Sequence, residues 1–235
     1  MINEQHSRTA ALVGEEALER LSRARVAVFG VGGVGGHLAE ALARAGVGAI
    51  DLVDGDVVSV SNINRQIIAL HSTVGRPKVE VMAERIRDIN PACKVTAHHR
   101  LYLPENADEL DLSVYDYVAD AIDTVSAKLE LCVRAKALNV PIIAAMGAGN
   151  KLDPSAFEVS DIAKTTVCPL ARVMRTELRR RGINHLKVVY SRELPVTTGT
   201  TDEEGRRRTV PASISFVPSA AGLLMAGEIV KDLIS

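Results

Sequence analysis

Residues 25–36 constrain the fold more than any other segment. Arg25 to Gly30 is a short, β-branched, apolar run of the kind found in strands buried on both faces. It leads straight into Gly30-Val31-Gly32-Gly33-Val34-Gly35-Gly36. Gly30, Gly32 and Gly35 fall in the order G-x-G-x-x-G, after a strand and before a helix. Glycines there let an anion approach backbone N–H groups at the positive end of a helix. A second strand, Ala49 to Val53, ends at Asp54-Gly55-Asp56. A carboxylate at Asp54 is placed to accept bonds from ribose hydroxyls. The alternative is tight helix–sheet packing without a ligand. The two features together favour nucleotide binding, but they do not separate a dinucleotide from ATP.

Periodicity extends the pattern along the chain. Helices are predicted over Gly14 to Leu21, His37 to Ala45, Lys78 to Ile89, Ser126 to Leu138 and Pro169 to Arg181. Strands are predicted around Val95 and Ala97, over Tyr117 to Ile122, and over Pro141 to Met146. Val58 to Arg76 is polar and turn-rich and reads as a functional loop, and Leu194 to Thr209 is polar and reads as a long mobile loop. A last strand is expected at Ser213 to Val217, with Ser219 capping a final helix. The βαβα alternation predicts an α/β fold: a Rossmann-like, doubly wound, mainly parallel sheet. No internal repeat or second core is visible. The reading is one domain over 1–235, with an N-terminal arm and helix (1–24) and a basic C-terminal extension (151–235) of the same sheet.

The residues that separate ATP from NAD lie in the polar loop. Ser61-Asn62-Ile63-Asn64-Arg65-Gln66 sets an arginine among amides able to support it, and Lys78 opens the next helix. An arginine fork and a lysine point charge both suit phosphate oxygens. For Lys78 the plainer reading is an exposed lysine at a helix start. Asp120-Ala121-Ile122-Asp123 closes a buried strand at the expected switch point. A carboxylate there suits Mg2+, which takes one or two carboxylates alongside phosphates. The alternative for either Asp is a cap on the Ser126 helix.

Composition removes other classes. Tryptophan is absent and aromatics are 3%, so stacking platforms for bases are not expected. The net charge of −1 gives no global pull toward nucleic acid. Cys93, Cys132 and Cys168 form an odd set with no CxxC, and no signal peptide is visible. A reducing cytoplasm is therefore expected, with no four-cysteine zinc site. The six histidines show no metal spacing. No apolar run is long enough to span a membrane.

Taken in order, these motifs resemble the ThiF/MoeB/ubiquitin-activating superfamily, whose members adenylate carboxylates with ATP. The resemblance implies Asp54 on the ribose, Arg65 and Lys78 on the triphosphate, and Asp123 on magnesium. Gly33, Asp56, Ser61, Asn62, Asn64 and Gln66 are then part of the nucleotide site. Ser7-Arg8 resembles an arginine finger reaching the partner subunit's phosphates, which implies a homodimer, although His6 replaces the usual aromatic before it. Within the superfamily the chain resembles the tRNA threonylcarbamoyladenosine dehydratase branch almost end to end. Asp161-Ile162-Ala163-Lys164-Thr165, Cys168-Pro169-Leu170-Ala171 and Phe216-Val217-Pro218-Ser219 carry that likeness. It implies ATP-dependent cyclisation of a modified adenosine beside the anticodon. A MoeB-type adenylyltransferase acting on a sulfur-carrier protein is the alternative. Such relatives usually carry two CxxC pairs, which this chain lacks. A nicotinamide dehydrogenase and a non-catalytic RNA-binding scaffold are the remaining rivals.

The RNA reading has support of its own. Lys164, Arg172, Arg175, Arg179, Arg180, Arg181 and Lys187 are opposed in that segment only by Glu177. Such a face suits the phosphates of an anticodon stem, and the alternative is a solvated helix face. Arg206-Arg207-Arg208 would add to it. Cys168, just before a helix, is a candidate nucleophile or sulfur acceptor for a cysteine desulfurase partner; its plainer reading is a small buried side chain.

Overall fold

A computed structural model gives the architecture and describes residues 4–196 and 211–235. Two helices, α1 (Ser7–Val13) and α2 (Glu15–Arg23), precede the sheet. The chain then runs β1 (Arg25–Phe29), α3 (Gly35–Ala45), β2 (Ala49–Val53), α4 (Lys78–Ile89) and β3 (Lys94–His98). The second half runs β4 (Tyr117–Asp120), α5 (Val125–Ala137), β5 (Ile142–Ala145), β6 (Phe157–Asp161), α6 (Pro169–Arg180), β7 (Lys187–Ser191) and α7 (Phe216–Ile234). The seven strands form one sheet in the order β3-β2-β1-β4-β5-β7-β6, and only β6 runs antiparallel to its neighbour. This is the doubly wound, mainly parallel sheet that the alternation predicts.

The core lies on both faces of the sheet because β1 alternates. Val26 and Val28 pack with Leu38, Leu42, Met82, Ile86 and Met225 on the α3, α4 and α7 side. Ala27 and Phe29 pack with Leu131, Met174 and Leu178 on the α5 and α6 side. A strand with period two and helices with period 3.6 can meet in this way on either face.

One expectation fails outright. Residues 213–217 do not form a strand, because α7 already begins at Phe216. Val217, Ala221, Met225 and Ile229 repeat every four residues and are all buried, so the helical period prevails. Pro218 sits in the first turn, where its missing N–H costs nothing. Ser219 is inside the helix, and its hydroxyl donates to the Ser215 carbonyl rather than capping. The sheet instead gains β6 and β7. The long polar segment is described only as far as residue 196, and Arg206, Arg207 and Arg208 lie outside the described residues.

Asp51, near the middle of β2, shows how the fold handles a buried charge. Its carboxylate accepts Arg25 Nε at 3.0 Å and Nη2 at 2.9 Å, and the Tyr115 hydroxyl at 3.1 Å. His98 Nε2 lies 3.1 Å away. Burial works to raise the Asp51 pKa, but the bonds from Arg25, His98 and Tyr115 hold it below the usual carboxylate value. Among the described residues no helix is long and apolar enough to cross a membrane.

Candidate active site

The site forms where β1, β4 and α3 meet. Gly30 ends β1 with φ +86°, and its N–H donates to the Val53 carbonyl at 2.8 Å. A Cβ on Gly30 would stand 2.6 Å from the Ala121 carbonyl oxygen. A Cβ on Gly35 would stand 1.8 Å from the Gly30 carbonyl oxygen. Backbone therefore packs directly on backbone here, and only glycine fits. No side chain caps α3, and the N–H groups of Gly32, Gly33 and Val34 have no partner among the described residues. Donors left open at a helix start form a cradle for an anion.

The polar loop folds over this cradle. A Cβ on Gly33 would lie 3.5 Å from Arg65 Cγ, and one on Gly32 would lie 3.7 Å from Gln66 Nε2. The two sequence motifs are thus one site. Arg65 Nη1 donates to the Ser61 carbonyl at 3.0 Å and to Asn64 Oδ1 at 2.9 Å. Its Nε and Nη2 groups have no partner among the described residues. Gln66 is buried, and its Oε1 has no partner among the described residues. Asn62 and Asn64 serve the loop itself. Asn62 Oδ1 accepts the Ser59 N–H, and Asn64 Nδ2 donates to the Ser213 carbonyl, tying the loop to the segment that leads into α7. Pro218 of α7 reaches the loop as well, 3.2 Å from where a Gly33 Cβ would be.

Asp54 and Lys78 form the opposite wall. Asp54 Oδ2 accepts the Val31 N–H at 2.7 Å, and Oδ1 accepts the Asp56 N–H at 2.8 Å. Each oxygen keeps a lone pair for a further donor. Lys78, at the first turn of α4, is 6% exposed, so the surface-lysine reading is wrong. Its Nζ donates to Asp56 Oδ2 at 2.6 Å and stands 3.9 Å from Asp54 Oδ1. A lysine buried between two carboxylates is held as a fixed charge.

The two aspartates after β4 part company. Asp120 is fully buried, with Lys128 Nζ 2.9 Å from its Oδ2, while its Oδ1 accepts the Ile122 N–H at 3.1 Å. Lys128 also donates to the Ala145 carbonyl at 2.8 Å. Asp123 is exposed and accepts the Thr124 hydroxyl. Neither aspartate caps α5, which starts at Val125 behind Thr124. Sequence reasoning missed Lys128. The signal was present: a lysine on the stripe it shares with Leu131, Cys132 and Ala135, all buried.

Other expected residues stand apart. Arg8, on α1, is not brought to the site within its own chain. His6, two residues before it, packs at Gly46, beyond the far end of α3 from the glycine loop. Eleven helical residues span about 16 Å. Cys168 precedes α6 and is buried. Cys93 and Cys132 are packing residues. Burial pushes the Cys93 thiol up to about 11 and raises that of Cys132 further.

A family model described as the ThiF family matches residues 6–235. The chain belongs to the ThiF family. Within it, the sequence is 45% identical over 240 residues to the tRNA threonylcarbamoyladenosine dehydratase of Bacillus subtilis, covering 98% of this chain and 94% of that one. The fold matches the tRNA N6-threonylcarbamoyladenosine dehydratase of Escherichia coli in complex with AMP at TM-score 0.90 and 36% identity. That match covers 100% of this chain and 97% of the other. The same Escherichia coli enzyme in complex with ATP matches at TM-score 0.88 and 36% identity, with the same coverage. These matches cover the C-terminal half of the chain as well as the half that holds the glycine loop.

Proposed function

We propose that this ThiF-family chain is an ATP-dependent tRNA threonylcarbamoyladenosine dehydratase, folded as one domain. The observation that carries the reading is the placement of Arg65 and Gln66 over an anion cradle in a chain similar to dehydratases from end to end. That length of similarity favours the dehydratase over the sulfur-carrier alternative.

The residues divide the work by chemistry. Open N–H groups at Gly32, Gly33 and Val34 hold phosphate oxygens, and Asp54 accepts ribose hydroxyls. Arg65 and Lys78 neutralise the triphosphate, with Ser61, Asn62 and Asn64 fixing the arginine loop. The threonyl carboxylate of the substrate attacks the α-phosphorus. A P–O bond forms, the α–β bridge breaks, and pyrophosphate leaves with its electron pair. A neighbouring group of the same modified side chain then attacks the activated carbonyl, expels AMP and closes a five-membered ring. The net change is loss of one water from the nucleoside. The second attack is intramolecular, where effective molarities reach about 10⁵ to 10⁸ M, so no protein nucleophile is needed. Asp123, exposed at the strand end, would hold Mg2+, which supplies charge neutralisation at the phosphates when bound. Among the described residues no cluster of three or more His, Cys, Asp or Glu stands ready for a metal, and a single carboxylate fits this ion.

Mass spectrometry of nucleosides from tRNA incubated with enzyme and ATP tests the assignment. The threonylcarbamoyladenosine peak is expected to lose one water, and omission of ATP is expected to leave it unchanged. Arg65→Ala is expected to lower kcat about 10²- to 10³-fold, the usual cost of removing one stabiliser of transition-state charge. A folded, ATP-binding protein that leaves the nucleoside mass unchanged removes the assignment.

Arg8 completes the site only from a second copy, because its own chain holds it beyond the far end of α3. Arg8→Ala and Arg65→Ala are each expected to lose nearly all activity. Mixed as refolded or exchanged subunits, they are expected to regain about a quarter of wild-type activity, since half the dimers then hold one intact site. No recovery, with subunit exchange demonstrated, rules out action in trans.

A further inference from the structure

The basic segment expected to face RNA is not uniformly available. Lys187 is held by Asp232 at 2.7 Å and lies 3.7 Å from Glu228. Arg180 and Arg181 both pair with Glu177. Arg175 turns back on its own support, with Nη1 donating to the Thr165 hydroxyl at 2.6 Å and the Thr165 carbonyl at 3.0 Å. Lys164, Arg172 and Arg179 remain exposed and have no ion pair among the described residues. Sequence counting overstates the free charge, and the structure locates what is left of it.

The remaining cations are arranged. At 100° per residue, Arg172 and Arg179 lie within about 20° of one another on the flank of α6, with the Thr165-bound Arg175 about 40° to one side. Ala171, Met174 and Leu178 bury the adjoining stripe, so the flank is held in place by the core. Arg172 and Arg179 are seven residues and about 10 Å apart along the axis. Arg172 and Arg175 also line a cavity of about 320 Å³ with Thr166, Val167, Cys168 and Pro169. Cys168 in that wall is 3% exposed, and its thiol has no hydrogen-bond partner among the described residues.

The wall of the cavity lies at the same edge of the sheet as the glycine loop. Cys168 Sγ lies 3.6 Å from where a Cβ on Gly147 would be, two residues beyond the end of β5. β5 pairs with β4, and β4 with β1, so two strand spacings of about 10 Å separate the ends of β5 and β1. Aromatic side chains are too few to hold bases by stacking, which leaves the backbone as the element to grip.

We propose that this cavity and the Arg172–Arg179 flank seat two consecutive regions of the RNA sugar–phosphate backbone. One phosphate sits at the mouth of the cavity against Arg172 and the second against Arg179, with Lys164 beside them. The modified nucleotide is thereby delivered across the ends of β5 and β4 to the nucleotide bound at β1. The inference rests on the dehydratase reading for the identity of the RNA, though not for the charge geometry. Phosphate contacts of this kind fix position without reading sequence.

The test is a salt titration of binding between the full-length enzyme and tRNA bearing threonylcarbamoyladenosine. The Arg172→Ala/Arg179→Ala double variant is compared with wild type and with Arg23→Ala, an exposed residue at the end of α2, at the opposite edge of the sheet from the glycine loop. Each lost phosphate contact lowers the slope of log K against log salt by about 0.7 to 0.9. The double variant is expected to lower it by roughly 1.5 and to raise KM for tRNA with ATP affinity unchanged, while Arg23→Ala is expected to behave as wild type. Equal slopes for the double variant and wild type, with ATP binding intact, overturn the proposal. ATP binding by each variant reports that it is folded. Wild-type nucleoside mass, measured in parallel, separates failure of this surface from failure of the dehydratase assignment.

Discussion

Gly35→Ala is expected to abolish nucleotide binding while leaving most of the sheet intact. The new methyl would have to occupy a point 1.8 Å from the Gly30 carbonyl oxygen and 3.3 Å from the Ala121 Cβ. Neither neighbour can yield cheaply. Gly30 is held at φ +86° by its bond to Val53 and by the Ala121 carbonyl behind it. The start of α3 must therefore move outward by more than about 1 Å, taking its open N–H groups with it. A displacement of that size at a reacting centre costs about 10²-fold in rate, and overpacking of this kind typically costs about 1–3 kcal/mol in stability. Calorimetric ATP titration and thermal melting check both. The matched control is Gly227→Ala on the exposed face of α7, where a Cβ meets nothing within 4 Å. That substitution is expected to be neutral or to stabilise by about 0.5–1 kcal/mol, since alanine loses less entropy in a helix. If Gly35→Ala binds ATP as wild type does, the cradle is not where the phosphates lie.

Which parts of this molecule were legible follows from where the information sits. β1, the glycine loop and α3 could be read because each residue's role there is local: a β-branched run, glycines at fixed offsets, a helical stripe. The placement of Arg65 over the loop was accessible only through the pairing of two motifs, since nothing local says how residues 58–76 fold. Arg8 was visible as a motif but not as a position, because no sequence pattern tells which end of α3 an N-terminal arm visits. The free charge of α6 was overstated for the same reason. The partners of Lys187, Glu228 and Asp232, lie some forty residues away on α7. β6 and β7 escaped because β6 is a polar edge strand, mostly half-buried, and β7 offers only Val188, Val189 and Tyr190 as an apolar run. The false strand at 213–217 came from reading a β-branched run by composition, where the four-residue repeat into Met225 and Ile229 settled the matter.

Lys128→Met is expected to produce the largest loss of stability. Asp120 and Lys128 are both fully buried and 2.9 Å apart, and each also holds a backbone group: Ile122 N–H for the aspartate, the Ala145 carbonyl for the lysine. Removing one member of such a pair leaves a bare charge in the core and costs about 3–5 kcal/mol. For a chain of this size that is a fall in Tm of roughly 10 °C. The loss has a pH signature. Burial already pushes the Asp120 carboxyl up, and Lys128 is the first of the groups opposing it. Without Lys128 the folded-state pKa rises further above the unfolded value of about 3.9. A carboxyl with a raised folded pKa destabilises the fold above that pKa, and the penalty fades as pH falls through it toward the unfolded value. The Lys128→Met deficit is therefore expected to be greatest at neutral pH and to shrink toward pH 4. Adding Asp120→Asn to Lys128→Met is expected to recover much of the stability at pH 7, because no charge is then left behind. The same pair links the end of β5 to the turn that carries Asp123. The double variant is therefore expected to fold yet to turn over ATP more slowly than wild type. A deficit in Lys128→Met that is independent of pH would mean that Asp120 is neutral in the native protein, and that the contact is a hydrogen bond rather than an ion pair.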